Sequence, residues 1–92
     1  MDKRRKVIDR DVERAVRQKF YEDIDTNALN LAQAVKAMRR VSRLTQIEFA
    51  AHRGIGLKTL KQIEAGEGNP SVETLNKIGE IFGVEIGFVR KK

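Results

Sequence analysis

Between Thr45 and Gly66 the sequence signals two helix starts and two helix stops in close succession. Thr45-Gln46-Ile47-Glu48 has the form of a capping box. The Thr hydroxyl takes the free amide at the third helical position, and the Glu carboxylate reaches back to the Thr45 amide. Gly54 ends this helix, because a left-handed backbone costs glycine little. Gly56 opens the next, Leu57 to Ala65, with Leu60 and Ile63 as its core side, and Gly66 closes it. Any fold of this chain must pack two short helices set at an angle by a tight glycine turn.

The flanking sequence supplies further helices. Asp9 to Tyr21 reads as an amphipathic helix: Ile8, Val12, Ala15, Val16 and Phe20 recur at helical spacing and Ile24 continues the stripe. Asp9, Asp11 and Glu13 precede Arg14, Arg17 and Lys19, an order that suits the helix dipole. Glu22 to Asn27 reads as a break, with Thr26 and Asn27 as N-caps for a helix from about Asn27 to Arg40. Leu31, Ala34, Val35 and Met38 form its inner stripe, Met38 as a gap-filler. The Thr45 helix buries Ile47 or Phe49, together with Ala50. After a Glu67–Pro70 turn, Ser71 caps a last helix through Phe82 with Val72, Leu75, Ile78 and Phe82 inward, and Gly83 stops it. Val84, Ile86 and Phe88 then alternate, as in a strand. The expected fold class is all-α with a short C-terminal β-strand.

Charge locates a surface. The net charge is +6, and five of those six charges fall in residues 27–66; residues 1–26 and 67–92 are close to neutral. A concentrated positive field on a small domain favours a polyanionic partner, usually nucleic acid. The chain has no cysteine and one histidine, which excludes disulfides and thiolate metal sites and leaves His52 without a companion ligand. No nucleophile–base pair is visible, so the chain reads as a non-enzyme, with no cofactor and no catalytic residue. No apolar run is long enough to span a membrane. The basic start, MDKRRKVIDR, has no apolar segment behind it, so it is no secretory signal, and a cytoplasmic location is expected. Gly54-Ile55-Gly56-Leu57-Lys58-Thr59 lacks the spacing of a phosphate-binding loop.

The two short helices form a helix-turn-helix pattern, in which the second helix can enter the major groove while the first crosses the backbone. Lys58, Lys61 and Gln62 share one face of that second helix at i,i+3 and i,i+4 spacing. From Leu31 through Leu44-Thr45-Gln46, Ile63-Glu64, Asn69-Pro70-Ser71 and Gly83-Val84, the chain resembles the Cro/CI-type (XRE) family of phage repressors and bacterial regulators. The resemblance covers about residues 29–84 and implies a five-helix lambda-repressor-like domain, here with an extra N-terminal helix. It implies that Gln46 bonds a phosphate and braces the reading helix. It makes Leu57, Lys58 and Gln62 base-reading positions, with Thr59 near the backbone, and it pairs Arg39 with Glu64. Lys61, Arg53 and Asn69 complete the expected DNA-binding set. Arg53 departs from the usual aliphatic residue and is expected to lay its stem on the core and its charge near DNA. Gly56 replaces the usual hydroxyl cap, Leu57 a polar reader, and Gly79 an alanine, the last at a helix cost of about 1 kcal/mol.

The layout ending in Gly83-Val84-Glu85-Ile86-Gly87-Phe88-Val89-Arg90-Lys91-Lys92 is similar to HipB-like antitoxins, which follow the domain with a strand. A lone strand of about six residues is not stable, and two copies pairing edge to edge would satisfy it, which implies a homodimer; the alternatives are a fraying tail or a fifth helix. The resemblance further implies a double-stranded DNA operator and a toxin protein as partners. The expected organisation is 1–26, a basic arm and extra helix; 27–83, the helix-turn-helix domain; and 84–92, strand and basic tail. Lys3-Arg4-Arg5-Lys6 reads as a solvated tail or a DNA-contacting arm. Residues 1–26 either pack on the core or a dimer mate, or bind a toxin. The alternative for the whole chain is a protein-interaction scaffold without specific DNA binding.

Overall fold

A computed structural model describes residues 9–90; the tail Lys3–Lys6, Ile8 and Lys91-Lys92 lie outside the described residues. Five α-helices follow in order: α1 (Arg10–Asp25), α2 (Leu31–Ser42), α3 (Gln46–Arg53), α4 (Leu57–Glu64) and α5 (Val72–Gly79), and a 3-10 turn (Glu80–Phe82) extends α5. The N-terminal helix is one of these five rather than a sixth.

Helix α2 is the hub, packing against α1, α3, α4 and α5. Its Val35 and Met38 meet Phe49 and Ala50 of α3, Leu60 and Ile63 of α4, Ile78 of α5 and Phe82 of the 3-10 turn in one core. Phe20 of α1 belongs to the same core, edge-on to the Phe82 ring at 5.7 Å. The neighbouring Tyr21 hydroxyl donates to the Phe82 carbonyl at 2.9 Å. That bond satisfies a carbonyl at the end of the 3-10 turn, where the helical ladder runs out. The C-terminal half of α1 thus closes the core, while Val12 and Val16 of its N-terminal half stay exposed at 56% and 45%.

The first break falls elsewhere than the sequence suggests. Thr26 and Asn27 end α1 instead of starting α2. The Thr26 hydroxyl bonds back to the Glu22 carbonyl at 2.9 Å, and Asn27 takes a left-handed backbone with φ of 57°. The start of α2 is a capping box at Asn30 and Gln33, each side chain bonding the other residue's amide at 2.8–2.9 Å. Thr and Asn serve at both kinds of helix end, so their identity alone does not say which. Leu31 and Val72, expected inward, are exposed as well, and on α3 Phe49 rather than Ile47 takes the buried place.

The C-terminal strand does not form: residues 84–90 have no regular secondary structure. The segment turns back on α5 through Val84 N–H to the Gly79 carbonyl (3.2 Å) and Ile86 N–H to Asn76 Oδ1 (2.8 Å). A single edge has no ladder partner, and Phe88 is fully exposed. The return explains Gly79. A Cβ there would lie 2.5 Å from the Val84 carbonyl oxygen and 2.8 Å from its Cγ2. The gain of about 1 kcal/mol from alanine's helix propensity is therefore opposed by an overpacking cost of about 1–3 kcal/mol against backbone that cannot rotate away. Gly79→Ala is expected to destabilise by about 1 kcal/mol, and urea unfolding of the variant checks the sign.

Candidate nucleic-acid interface

Helices α3 and α4 carry the start and stop chemistry that the sequence announces. Thr45 Oγ1 accepts from the Glu48 amide at 3.1 Å, and Glu48 Oε1 accepts from the Thr45 amide at 2.9 Å. Gly54 caps α3 with φ of 70°. Ile55 N–H then bonds the Ala50 carbonyl at 3.0 Å, which tucks the half-buried Ile55 under the turn. Gly56 precedes α4 and gives it no side-chain cap. So the turn is Gly54-Ile55-Gly56, and α4 is oriented by its side chains rather than by its ends.

Those side chains divide α4 into two arcs. Leu60, Ile63 and Glu64 are buried, while Lys58, Lys61 and Gln62 are exposed. At 100° per residue the exposed three centre on the arc opposite the buried three. Leu57 and Thr59 are half-buried at the margins. The Gln62 side chain lies over the loop that leaves α4, with Oε1 3.3 Å from the place of a Cβ on Gly68, where φ is +77°. Glu67 N–H bonds the Gln62 carbonyl at 2.8 Å, and Asn69 is exposed one step further along this loop.

The buried arc contains a charge. Glu64 is only 4% exposed, yet it is fully engaged. Arg39 of α2 reaches it with two parallel bonds, Nε to Oε2 at 2.8 Å and Nη2 to Oε1 at 3.0 Å. Gln46 of α3 adds Nε2 to Oε1 at 3.1 Å, and Arg39 Nη1 bonds the Leu44 carbonyl at 3.3 Å. One carboxylate on α4 thereby ties together α2, α3 and the connector between them. Gln46 spends one of its two amide protons here; the other remains for an outside acceptor. The Leu44 carbonyl was not foreseeable, because backbone acceptors carry no residue signature.

Other expected members sit differently. Arg53 lays its guanidinium toward α5, with Nη1 3.5 Å from the Lys77 carbonyl and Nε buried without a partner. The side chain spans α3 and α5. His52 is exposed beside it, and among the described residues no group of His, Asp and Glu could hold a metal ion. No helix among the described residues is long and apolar enough to cross a membrane.

Burial alone would raise the pKa of Glu64, but the hydrogen bonds from Arg39 and Gln46 and the charges of Arg39 and Lys36 outweigh it and hold the carboxyl below its ordinary 4.5. The same hydrogen bond raises Arg39. A carboxyl depressed in the folded state contributes stability that is present above its unfolded pKa and lost as pH falls through the folded one. Arg39→Ala leaves the carboxylate buried and unpaired and is expected to cost about 3 kcal/mol. Glu64→Gln is expected to lie furthest below the parent protein at neutral pH and to converge on it in acid below the 4.5 range. Chemical unfolding at pH 7 and pH 3.5 measures both.

The helix-turn-helix family (HTH_3) matches residues 35–89, more than half of the chain. The "Immunity repressor protein" of Bacillus phage phi105 is 28% identical over 61 residues, which span 66% of this chain and 42% of that relative. The chain therefore corresponds to less than half the length of the curated relative it matches. No solved structure matches it. From Val35 in α2 to Val89 beyond α5, with the glycine turn and the two short helices at its centre, the chain belongs to the helix-turn-helix family of the Cro/CI (XRE) type.

Proposed function

We propose that the protein is a sequence-specific DNA-binding transcriptional repressor that inserts α4 into the major groove. The observation that carries this reading is the two-sided α4: Lys58, Lys61 and Gln62 exposed on one arc, Leu60, Ile63 and the anchored Glu64 on the other. Lysine can donate to guanine O6 and N7, and glutamine can bond adenine N6 and N7 together. Leu57 is suited to a thymine methyl, Thr59 and Asn69 to phosphate oxygens, and the second amide proton of Gln46 to a phosphate as well. The repressor relative supports the same side of the reading by its name.

The protein acts as a homodimer in this reading. Ile86, Phe88 and Val89 form an exposed apolar segment that a second copy would cover. Two reading helices then meet half-sites about one helical turn, ~34–36 Å, apart. A finer proposal is an antitoxin that represses its own operon in the cytoplasm and neutralises a toxin encoded beside it.

Selection of bound duplexes from a random pool tests the reading. It is expected to return a two-fold-related site. On that site Lys58→Ala or Gln62→Ala should each cost about 1–3 kcal/mol and relax one base position. Equal losses on selected and random duplex would remove these residues from base reading.

A further inference from the structure

A second basic surface is built without α4. The N-terminal half of α1 and the C-terminal end of α2 border an open cleft of about 330 Å³. Its apolar lining is Val12 and Val16 of α1 and Val41 of α2. The same lining includes Arg10, Arg14, Arg17, Arg40 and Arg43. One carboxylate, Glu13, lines the cleft, 3.5 Å from Arg43. Arg14 has an exposed contact with Asp11 at 3.7 Å, and Arg10, Arg17 and Arg40 have no ion pair among the described residues.

Two properties of this cleft must be matched together. Guanidiniums without an ion pair among the described residues ask for anions, and their planar forks suit carboxylates two bonds at a time. The valines ask for an apolar side chain. DNA backbone supplies the first and not the second, and its phosphates would face Glu13. A second copy also carries exposed acid beside exposed apolar residues, at Glu85, Ile86, Phe88 and Val89. Arginine is enriched at protein-binding surfaces, and an apolar centre with a polar rim is their usual layout. We propose that this cleft docks an acidic segment of another protein, one that sets an aliphatic or aromatic anchor on Val12, Val16 and Val41 and carboxylates on the surrounding arginines. The proposal does not depend on how α4 reads DNA.

The probe is a fluorescent helical peptide with leucines at i, i+3, i+4 and i+7 and glutamates elsewhere, titrated into the full chain. Controls are the same peptide with every Leu replaced by Ser and with every Glu replaced by Gln. The leucine–glutamate peptide is expected to bind at least tenfold tighter than either control and to shift the amide resonances of Val12, Val16 and Val41. Val16→Ser, at a half-exposed position that the fold tolerates, should weaken it at least fivefold. Arg17→Gln with Arg40→Gln should weaken it at least tenfold. Equal binding of the Leu-to-Ser control, no binding of the parent peptide, or resonance shifts confined to other helices would overturn the proposal. Self-association of the full chain that the arginine substitutions abolish would assign the cleft to the segment of a second copy that carries Glu85, Ile86, Phe88 and Val89, and would overturn it too. So would a DNA role. If the double arginine variant lowered the slope of log affinity for random duplex against log salt by about 2, as loss of two phosphate contacts requires, the surface would be a backbone contact. An unchanged slope supports the protein partner.

Discussion

The structure turns on the carboxylate of Glu64. Helix α4 has eight residues, no side-chain cap at its start and a plain residue, Ala65, at its end. Isolated helices of that length do not persist in water, so α4 takes both its existence and its direction from the body it lies on. Leu60 and Ile63 provide attachment, but aliphatic contacts alone tolerate rotation about the helix axis. The fork of Arg39 on Glu64 does not, because two parallel bonds fix a plane. Gln46 fixes the same carboxylate from a third helix. Net stabilisation from such a buried pair is small once desolvation is counted, and its main effect is orientation. In a helix whose outer arc presents Lys58, Lys61 and Gln62, orientation decides what those side chains can reach.

The parts of this arrangement that were legible in the sequence are those with local chemical signatures. Thr45, Glu48, Gly54 and Gly56 define α3 and α4 to within a residue, because capping and left-handed turns are short-range and residue-specific. The ends of α1 and α2 were not legible in the same way. Thr26-Asn27 and Asn30 offer the same cap chemistry, and the choice is made by how far α1 must run to set Phe20, Tyr21 and Ile24 against the 3-10 turn. Burial likewise depends on which neighbours exist: Val12, Val16 and Val72 satisfy helical periodicity yet have too little body around them in a chain of 92 residues. The alternation Val84–Ile86–Phe88 suggests a strand because periodicity reports which faces differ, not whether a second strand is present.

Gly79 shows how a local reading reverses when long-range packing enters. By propensity it is a flaw in α5. In the fold it is the place where the returning chain passes too close for a side chain, with the Val84 amide bonded to its carbonyl. The same return sets Val84 on the core and leaves Ile86, Phe88 and Val89 outside it. One glycine thus determines which residues of the C-terminal segment are spent on the fold and which remain for contact with something else.

The positive charge has a comparable division. The excess between Asn27 and Gly66 looked like a single field on the motif helices. In three dimensions it separates: Lys58 and Lys61 lie on the outer arc of α4, Arg39 is consumed by Glu64, and Arg40 and Arg43 turn to the cleft shared with α1. Residues 1–26 are nearly neutral in sum, yet Arg10, Arg14 and Arg17 line that cleft while Asp23 is paired along the helix and Asp9 is spent on the cap of α1. Net charge per segment therefore understates α1. Because Phe20 and Tyr21 tie its C-terminal half to the 3-10 turn, its N-terminal half is held as one rigid wall of the cleft rather than as a loose arm. A wall fixed in this way spares an incoming partner the entropy of ordering it, and preorganisation of that kind is what lets a small surface bind.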